Sequence, residues 1–200
     1  MADLFEGKAK DWDANEMITA LSSAVGSSIL KHVPLHEQMS VLDFGAGTGL
    51  ISSQIAPLVN RVVAIDTSEA MLDKLASKPE LKGKVDILCH DILENPVDER
   101  FDLIMSAMAM HHVENTSRLI QRFAEHLNDT GRIALADLIK EDGSFHPADT
   151  HGVFHFGFDQ DELHAILEKH GFKEIEFFTA HSITREGKDY PVFLVTARKA

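Results

Sequence analysis

The chain has 200 residues, 44% of them hydrophobic, which suits one domain with a sizeable core, and its single cysteine, Cys89, fits a reducing compartment. Its formal net charge is −13, from 19 basic and 32 acidic residues; with no lysine- or arginine-rich cluster, it lacks the basic face that nucleic-acid binding draws on, so neither RNA nor DNA is an expected partner. No run of about 18 apolar residues suggests a membrane span, and Asp3 and Glu6 break the charged-then-apolar order of a signal peptide, so a cytoplasmic location is expected.

Residues 1–13 hold Phe5 and Trp12 among charges with little periodicity, and read as an N-terminal arm. Met17, Ile18, Leu21, Val25, Ile29 and Val33 recur at helical spacing, which predicts one or two helices ending near Pro34. Val41-Leu42-Asp43-Phe44 then suits a buried strand, and Gly45, Gly47 and Gly49 alternate after it. The helical period follows at Leu50, Ile51, Ile55 and Leu58. Strand, glycine turn and helix are what a parallel α/β sheet uses to hold a nucleotide-like ligand beyond its strand ends. Glycine admits positive φ and lets a ligand approach the backbone, and the first-turn N–H groups have no partners within the helix. A dinucleotide fold prefers G-x-G-x-x-G, which would need glycine where Leu50 stands, so a nucleotide-binding oxidoreductase is disfavoured. Val62-Val63-Ala64-Ile65-Asp66 is a second buried strand ending in an acid, about twenty residues past the glycines. Such an acid either bonds ribose hydroxyls or caps the next turn.

Asp43-x-Gly45-x-Gly47-x-Gly49, with Asp66 in register after it, resembles the motifs of the class I S-adenosylmethionine-dependent methyltransferases. The likeness is to the small-molecule type, the methyltransferase 11/12 group and the quinone-biosynthesis enzymes. It implies an α/β, Rossmann-like, doubly wound sheet of seven strands in the order 3-2-1-4-5-7-6. The sheet would be mostly parallel with an antiparallel last strand and helices on both faces. It also implies S-adenosyl-L-methionine as cofactor. Carried over by motif position, the cofactor residues are Asp43, Gly45, Ala46 and Gly47 at the turn, and Asp66, Thr67 and Met71 after the second strand. Asp91 would face the adenine amino group, Ile92 would lie beside the ring, and Ser106 would end the fourth strand. In many relatives an arm with an aromatic followed by Asp closes over the cofactor. Trp12-Asp13 matches that pattern, and an aromatic anchor pinning the arm to the core is the alternative.

Further along the chain, a helix is predicted over Ser68–Ala76 and a third strand over Val85–Leu88. The fourth strand, Phe101–Ser106, runs into Ala107–Val113, which resembles the segment under the reactive methyl group in this family. Thr116 is the expected cap of a helix bearing Leu119, Ile120, Phe123 and Leu127, closed by Asn128–Gly131. A fifth strand covers Arg132–Leu138. Asp159 to Glu162 has the form of a capping box, and Gly171 is the matching stop. Strands at Phe172–Phe178 and Tyr190–Thr196 are expected to flank a polar loop, His181–Asp189. The domain thus divides into arm and helices (1–36), cofactor-binding core (37–138), substrate-side loop (139–158) and C-terminal helix with strand pair (159–200).

Methyl transfer is an in-line displacement in which the protein mainly holds donor and acceptor at attack distance. A base is needed only when the acceptor must lose a proton. His111 and His112, after the fourth strand, are candidate bases; packing against the cofactor or capping the next helix are the alternatives. His146, His151 and His155 lie in the 139–158 loop among Phe145, Phe154 and Phe156, where such sheets bind substrate. The expected catalytic residues are therefore His112, His111 and His155, with Trp12, His146, His151 and His155 at the substrate. His151 and His155 would share one face of a helix, as zinc ligands do, but Gly152 and Gly157 weaken a helix there and no metal is expected. No Asn/Asp-Pro-Pro-aromatic motif follows the fourth strand, no Pro-Cys loop is present, and Ser106 stands where metal-dependent catechol enzymes carry an acid. A small organic acceptor is what remains. A non-catalytic cofactor-binding or partner subunit is the rival reading, disfavoured by the intact acid and glycine set.

Overall fold

Val41, Val62, Leu103, Ala134 and Val192 bury against one face of a sheet, while Leu42, Val63, Ile104, Ile133 and Phe193, each next in sequence to one of these, bury against the other. Successive residues of a strand point to opposite faces, so runs that are apolar throughout need cover on both sides. The computed structural model, which describes Asp3, residues 5–147 and residues 150–200, meets that need with a seven-stranded sheet between two helical layers. Its strands are β1 Ser40–Phe44, β2 Arg61–Asp66, β3 Val85–Cys89, β4 Phe101–Ala107, β5 Leu127–Leu138, β6 Phe172–Arg185 and β7 Lys188–Lys199. The order is β3-β2-β1-β4-β5-β7-β6, parallel through β5, with β7 antiparallel to both its neighbours. This is the expected Rossmann-like topology. Helices α1 (Glu16–His32), α2 (Ser52–Ile55) and α3 (Glu69–Ala76) cover the first face, and α4 (Thr116–His126) and α5 (Gln160–Lys169) the second.

Four local expectations are corrected. The helix after the glycine turn is a single turn, α2, followed by a 3-10 turn at Ala56–Leu58. Pro57 has no N–H to continue the ladder and its ring clashes with the preceding turn, so Leu58 ends 43% exposed rather than in an apolar stripe. The cap of α4 is Asn115, whose side chain accepts from the Arg118 N–H, and Thr116 is the first helical residue. Residues 128–131 do not close that helix as a loop; they already belong to β5, which pairs with β4 from Leu127 onward. The polar stretch 181–189 is not a loop either. It is the continuation of β6 and β7 around a two-residue turn, Glu186-Gly187, with φ of 52° and 79°. Its polarity reflects an edge strand with a wetted face, and paired positive φ is what a tight hairpin requires. Elsewhere the local signals agree with the structure. Asp159 accepts from the N–H groups of Asp161 and Glu162, and Asn15 caps α1 as one continuous helix. Among the described residues no helix is long and apolar enough to cross a membrane.

Candidate active site

The turn after β1 lies against the end of β2. The N–H groups of Gly45 and Ala46 donate to the Ile65 carbonyl at 2.9 and 3.1 Å. Gly45 has φ +68°, and a Cβ there would stand 2.3 Å from the Cβ of Ala109, so the segment leaving β4 passes only because the side chain is missing. Gly47 differs: φ is +54°, yet a Cβ there would meet nothing within 4 Å. Its missing side chain opens space above the backbone rather than relieving a contact within the protein.

Asp66, at the end of β2, accepts from the Gly47 N–H at 2.8 Å and from the Ser68 N–H at 2.9 Å. Burial raises its pKa, and these N–H donors oppose the rise. Asp43 lies beneath the turn, 2% exposed, accepting from Ser52 Oγ at 2.6 Å. Burial pushes its carboxyl up to about 7, the bond from Ser52 pulling the other way and the charge of Asp66 adding to the rise. Asp43 therefore anchors α2 to the turn.

The other cofactor positions divide by exposure. Ala46 is half-buried and Thr67 exposed, while Met71 is buried with its N–H on Ser68 Oγ. Asp91 is exposed and accepts from the Leu93 N–H at 2.8 Å, an Asx turn, and Ile92 is wholly enclosed in the core on the α4 side. Ser106 is 1% exposed, and its Oγ has no partner among the described residues.

The N-terminal arm crosses this region. Asp13 accepts from Thr48 Oγ1 at 2.5 Å and pairs with Lys78 Nζ at 2.8 Å, tying the arm to the glycine turn and to the end of α3. Asp3 accepts from Ser68 Oγ at 2.8 Å at the start of α3. Phe5 stands edge-on to Trp12 at 5.9 Å and to His112 at 5.5 Å. Asp13 and Asp3 thus tie the arm over the turn, and Trp12 is partly buried against Phe5 of the same arm. Sequence reasoning misses Asp3 and Thr48, which carry no periodicity or motif of their own.

Beyond β4, Met108 at φ 56° turns the chain into a 3-10 turn, Met110–His112. His111 is 2% exposed. Its Nδ1 donates to Asp137 Oδ1 at 2.8 Å and its backbone N–H to Asp137 Oδ2 at 3.2 Å. Its carbonyl accepts from the N–H groups of Phe154 and His155, which locks the 139–158 loop to the turn. His112 donates from Nδ1 to the Gly152 carbonyl at 2.6 Å, and burial, then the neighbouring His111, lowers its pKa. The His146 ring lies 5.1 Å from His111 and 6.4 Å from His112. Burial, reinforced by those two histidines, takes its pKa down to about 4, and its Nε2 is enclosed without a partner among the described residues.

The structure thus gathers His111, His112 and His146 into one niche over the ends of β4 and β5. It does not bring His151 or His155 into that niche. His151 is exposed, and His155 Nε2 sits 3.0 Å from the Val113 carbonyl, 3.2 Å from that of Glu114 and 3.3 Å from Thr116 Oγ1. Residues 151–158 are not helical, so His151 and His155 do not share a helix face, and no metal-holding group of His, Cys, Asp and Glu occurs among the described residues. His155 is a staple between loop and turn. His155→Ala is expected to cost about 1 kcal/mol of stability in urea unfolding, with cofactor affinity unchanged; a loss of turnover without loss of stability would return it to the chemistry.

The sequence pattern that defines the methyltransferase-domain family matches residues 41–131, from β1 into β5. Over those residues the chain resembles the class I S-adenosylmethionine-dependent methyltransferases. Within that family, an uncharacterized methyltransferase of Schizosaccharomyces pombe is 35% identical over 118 residues, which is 54% of this chain and 42% of the relative. The chain therefore spans less than half the length of that curated relative. A protein described as a methyltransferase, solved in complex with the Haloferax volcanii Trm112 methyltransferase activator, superposes with a TM-score of 0.82 at 16% identity, over 99% of this chain and 98% of that chain. NodS, an N-methyltransferase of Bradyrhizobium japonicum solved with S-adenosyl-L-homocysteine, gives 0.73 at 16% identity, over 99% of each chain. At these identities the structural likeness speaks to the fold.

Proposed function

We propose that this methyltransferase moves the methyl group of S-adenosyl-L-methionine to a small organic acceptor held beside the His111-His112 turn. The observation that carries the reading is the adjacency of two features. Open space over Gly47 and the Asp66 carboxylate lies at the ends of β1 and β2, and the histidine niche lies at the ends of β4 and β5. The residues fit the cofactor: backbone is approachable at Gly47, an acid waits at the end of β2 for ribose hydroxyls, and Ser106 Oγ is unpaired. When bound, the cofactor supplies an electrophilic methyl group on a sulfonium sulfur. In this reading Gly45, Ala46, Gly47, Asp66, Thr67, Met71, Asp91 and Ser106 border the cofactor, and Asp43 supports the turn from below. The arm and the 139–158 loop roof the acceptor, which favours a compact molecule over a polymer.

Calorimetry with S-adenosylmethionine, S-adenosylhomocysteine and NAD tests the cofactor, and the first two alone should bind. Asp66→Ala should weaken them by about 1–3 kcal/mol, as expected for hydrogen bonds involving a charged group; unchanged affinity with an intact fold would remove Asp66 from the site. The acidic balance supports a partner set without nucleic acid, so no salt-sensitive gel shift with tRNA or duplex DNA is expected at physiological salt. The exposed Cys89 suits a reducing compartment, and the cytoplasm is proposed on that ground. Metabolite profiling with isotope-labelled cofactor would identify the acceptor, because the product carries the labelled methyl.

A further inference from the structure

Asp137 is fully buried near the end of β5 and accepts three hydrogen bonds. They come from His111 Nδ1 at 2.8 Å, the His111 N–H at 3.2 Å and the Leu138 N–H at 2.8 Å. A carboxylate so engaged offers only lone pairs, so the hydrogen of the His111 ring resides on Nδ1 and the ring lone pair on Nε2. The ring is held by its own bond to Asp137 and by burial, and its backbone by Asp137 on one side and by Phe154 and His155 on the other. Among the described residues Nε2 of His111 makes no hydrogen bond. Beside it, His146 Nε2 is enclosed and also unpartnered, and buried polar atoms in native proteins nearly always have partners. Among the described residues this atom is left free to meet a polar group of a ligand.

We propose that the niche takes an uncharged acceptor with an ionisable hydroxyl, a phenol or an enol, whose proton passes to His111 Nε2, with Asp137 as the positioning residue and His146 Nε2 hydrogen-bonding the acceptor oxygen. The proposal rests on the methyl-transfer reading and narrows its substrate class. Charge supports the choice. The nearby cations are Lys8 on the arm, lying over the Phe5 ring, and Arg185 on β6, which is committed to the Phe145 ring and carbonyl. An acceptor bearing phosphate or carboxylate would have to draw Lys8 from the Phe5 ring or Arg185 from the Phe145 carbonyl. An ammonium group would look for a carboxylate, and Asp137 is enclosed behind His111 with three hydrogen bonds already made.

In the transfer, a lone pair of the acceptor oxygen forms the new O–C bond as the S–C bond breaks, and that electron pair stays on sulfur. The hydroxyl proton goes to His111 Nε2. The positive charge leaving the sulfonium thus reappears on an imidazolium whose other nitrogen faces the Asp137 carboxylate, and the proton then returns to solvent. His112 borders the same space, but its Nδ1 is spent on the Gly152 carbonyl rather than on a carboxylate.

Histidine side-chain ¹H–¹⁵N NMR of the cofactor-free protein is the first arm of the test. With His111→Gln assigning the signal, His111 should show a protonated Nδ1 and a bare Nε2. A hydrogen on Nε2 would overturn the proposal whatever the acceptor, and this arm needs no folded Asp137 variant. The second arm supplies isotope-labelled S-adenosylmethionine with substituted phenols, β-dicarbonyl enols and primary amines as probes. Label should enter the hydroxyl probes only, with a rate that rises with pH through one ionisation. Asp137→Asn should lower kcat by about 10²–10⁴-fold, shift that ionisation, and leave KM and S-adenosylhomocysteine affinity near wild type. Label in amines alone, label in none of the probes, or wild-type kcat in a folded Asp137→Asn protein would each overturn it. Failure of the wild-type protein to bind S-adenosylhomocysteine would instead remove the methyl-transfer reading on which the proposal stands.

Discussion

Gly47→Val is expected to abolish S-adenosylhomocysteine binding, by at least about 10²-fold, while leaving the protein folded. The backbone at Gly47 has φ +54°, a region that β-branched residues avoid, so some local strain accompanies the change. The larger effect is steric and falls on the ligand, since a side chain there points into space that no protein atom fills within 4 Å. Gly45→Ala is the contrasting variant. Its Cβ would land 2.3 Å from that of Ala109, so it must push β1 and the β4 segment apart and should lower thermal stability as well. Calorimetry with melting curves separates the two, and a Gly47→Val protein with wild-type affinity would move the cofactor off this turn.

Asp43→Asn should make the cofactor-free protein more stable at pH 8, with the gain fading toward pH 4. The folded carboxyl has a pKa of about 7 against an ordinary 3.8, so between these limits the folded state holds a proton that the unfolded state has released. Stability therefore falls as pH rises through that window and levels off above about 7, where the acid is ionised in both states. The full difference corresponds to roughly 4 kcal/mol, as an upper limit. Asparagine keeps an oxygen to accept from Ser52 Oγ and has no charge to bury. Urea unfolding at pH 4, 6 and 8 measures the effect, and wild-type and variant curves that stay parallel would show that Asp43 does not titrate there.

Much of the fold was legible because its signals are local. The strand runs at Val62 and Val192 are apolar without interruption, and that alone requires burial on both faces. The Asp159 cap and the Gly171 stop are set by their own backbone geometry. The readings that missed did so where the same composition suits two structures. A polar stretch such as 181–189 describes a loop and equally an edge strand, and only the pairing of β6 with β7 separates them. Likewise the spacing of His151 and His155 is that of helix neighbours, while the chain there is non-helical and tied to the His111 carbonyl by the N–H groups of Phe154 and His155.

The sequence by itself carried the family resemblance, the sheet order that the resemblance implies, and the glycine turn with Asp66, because a strand, a turn and a terminal acid occupy neighbouring positions along the chain. Only the tertiary structure decided which histidines share a niche and which acid orients one of them. Asp137 meets His111 across 26 residues of sequence, and Asp13 meets Thr48 across 35. No local propensity encodes such contacts. They exist because the parallel pairing of β4 with β5 sets the two strand ends side by side, so that the turn leaving β4 is held by an acid near the end of β5.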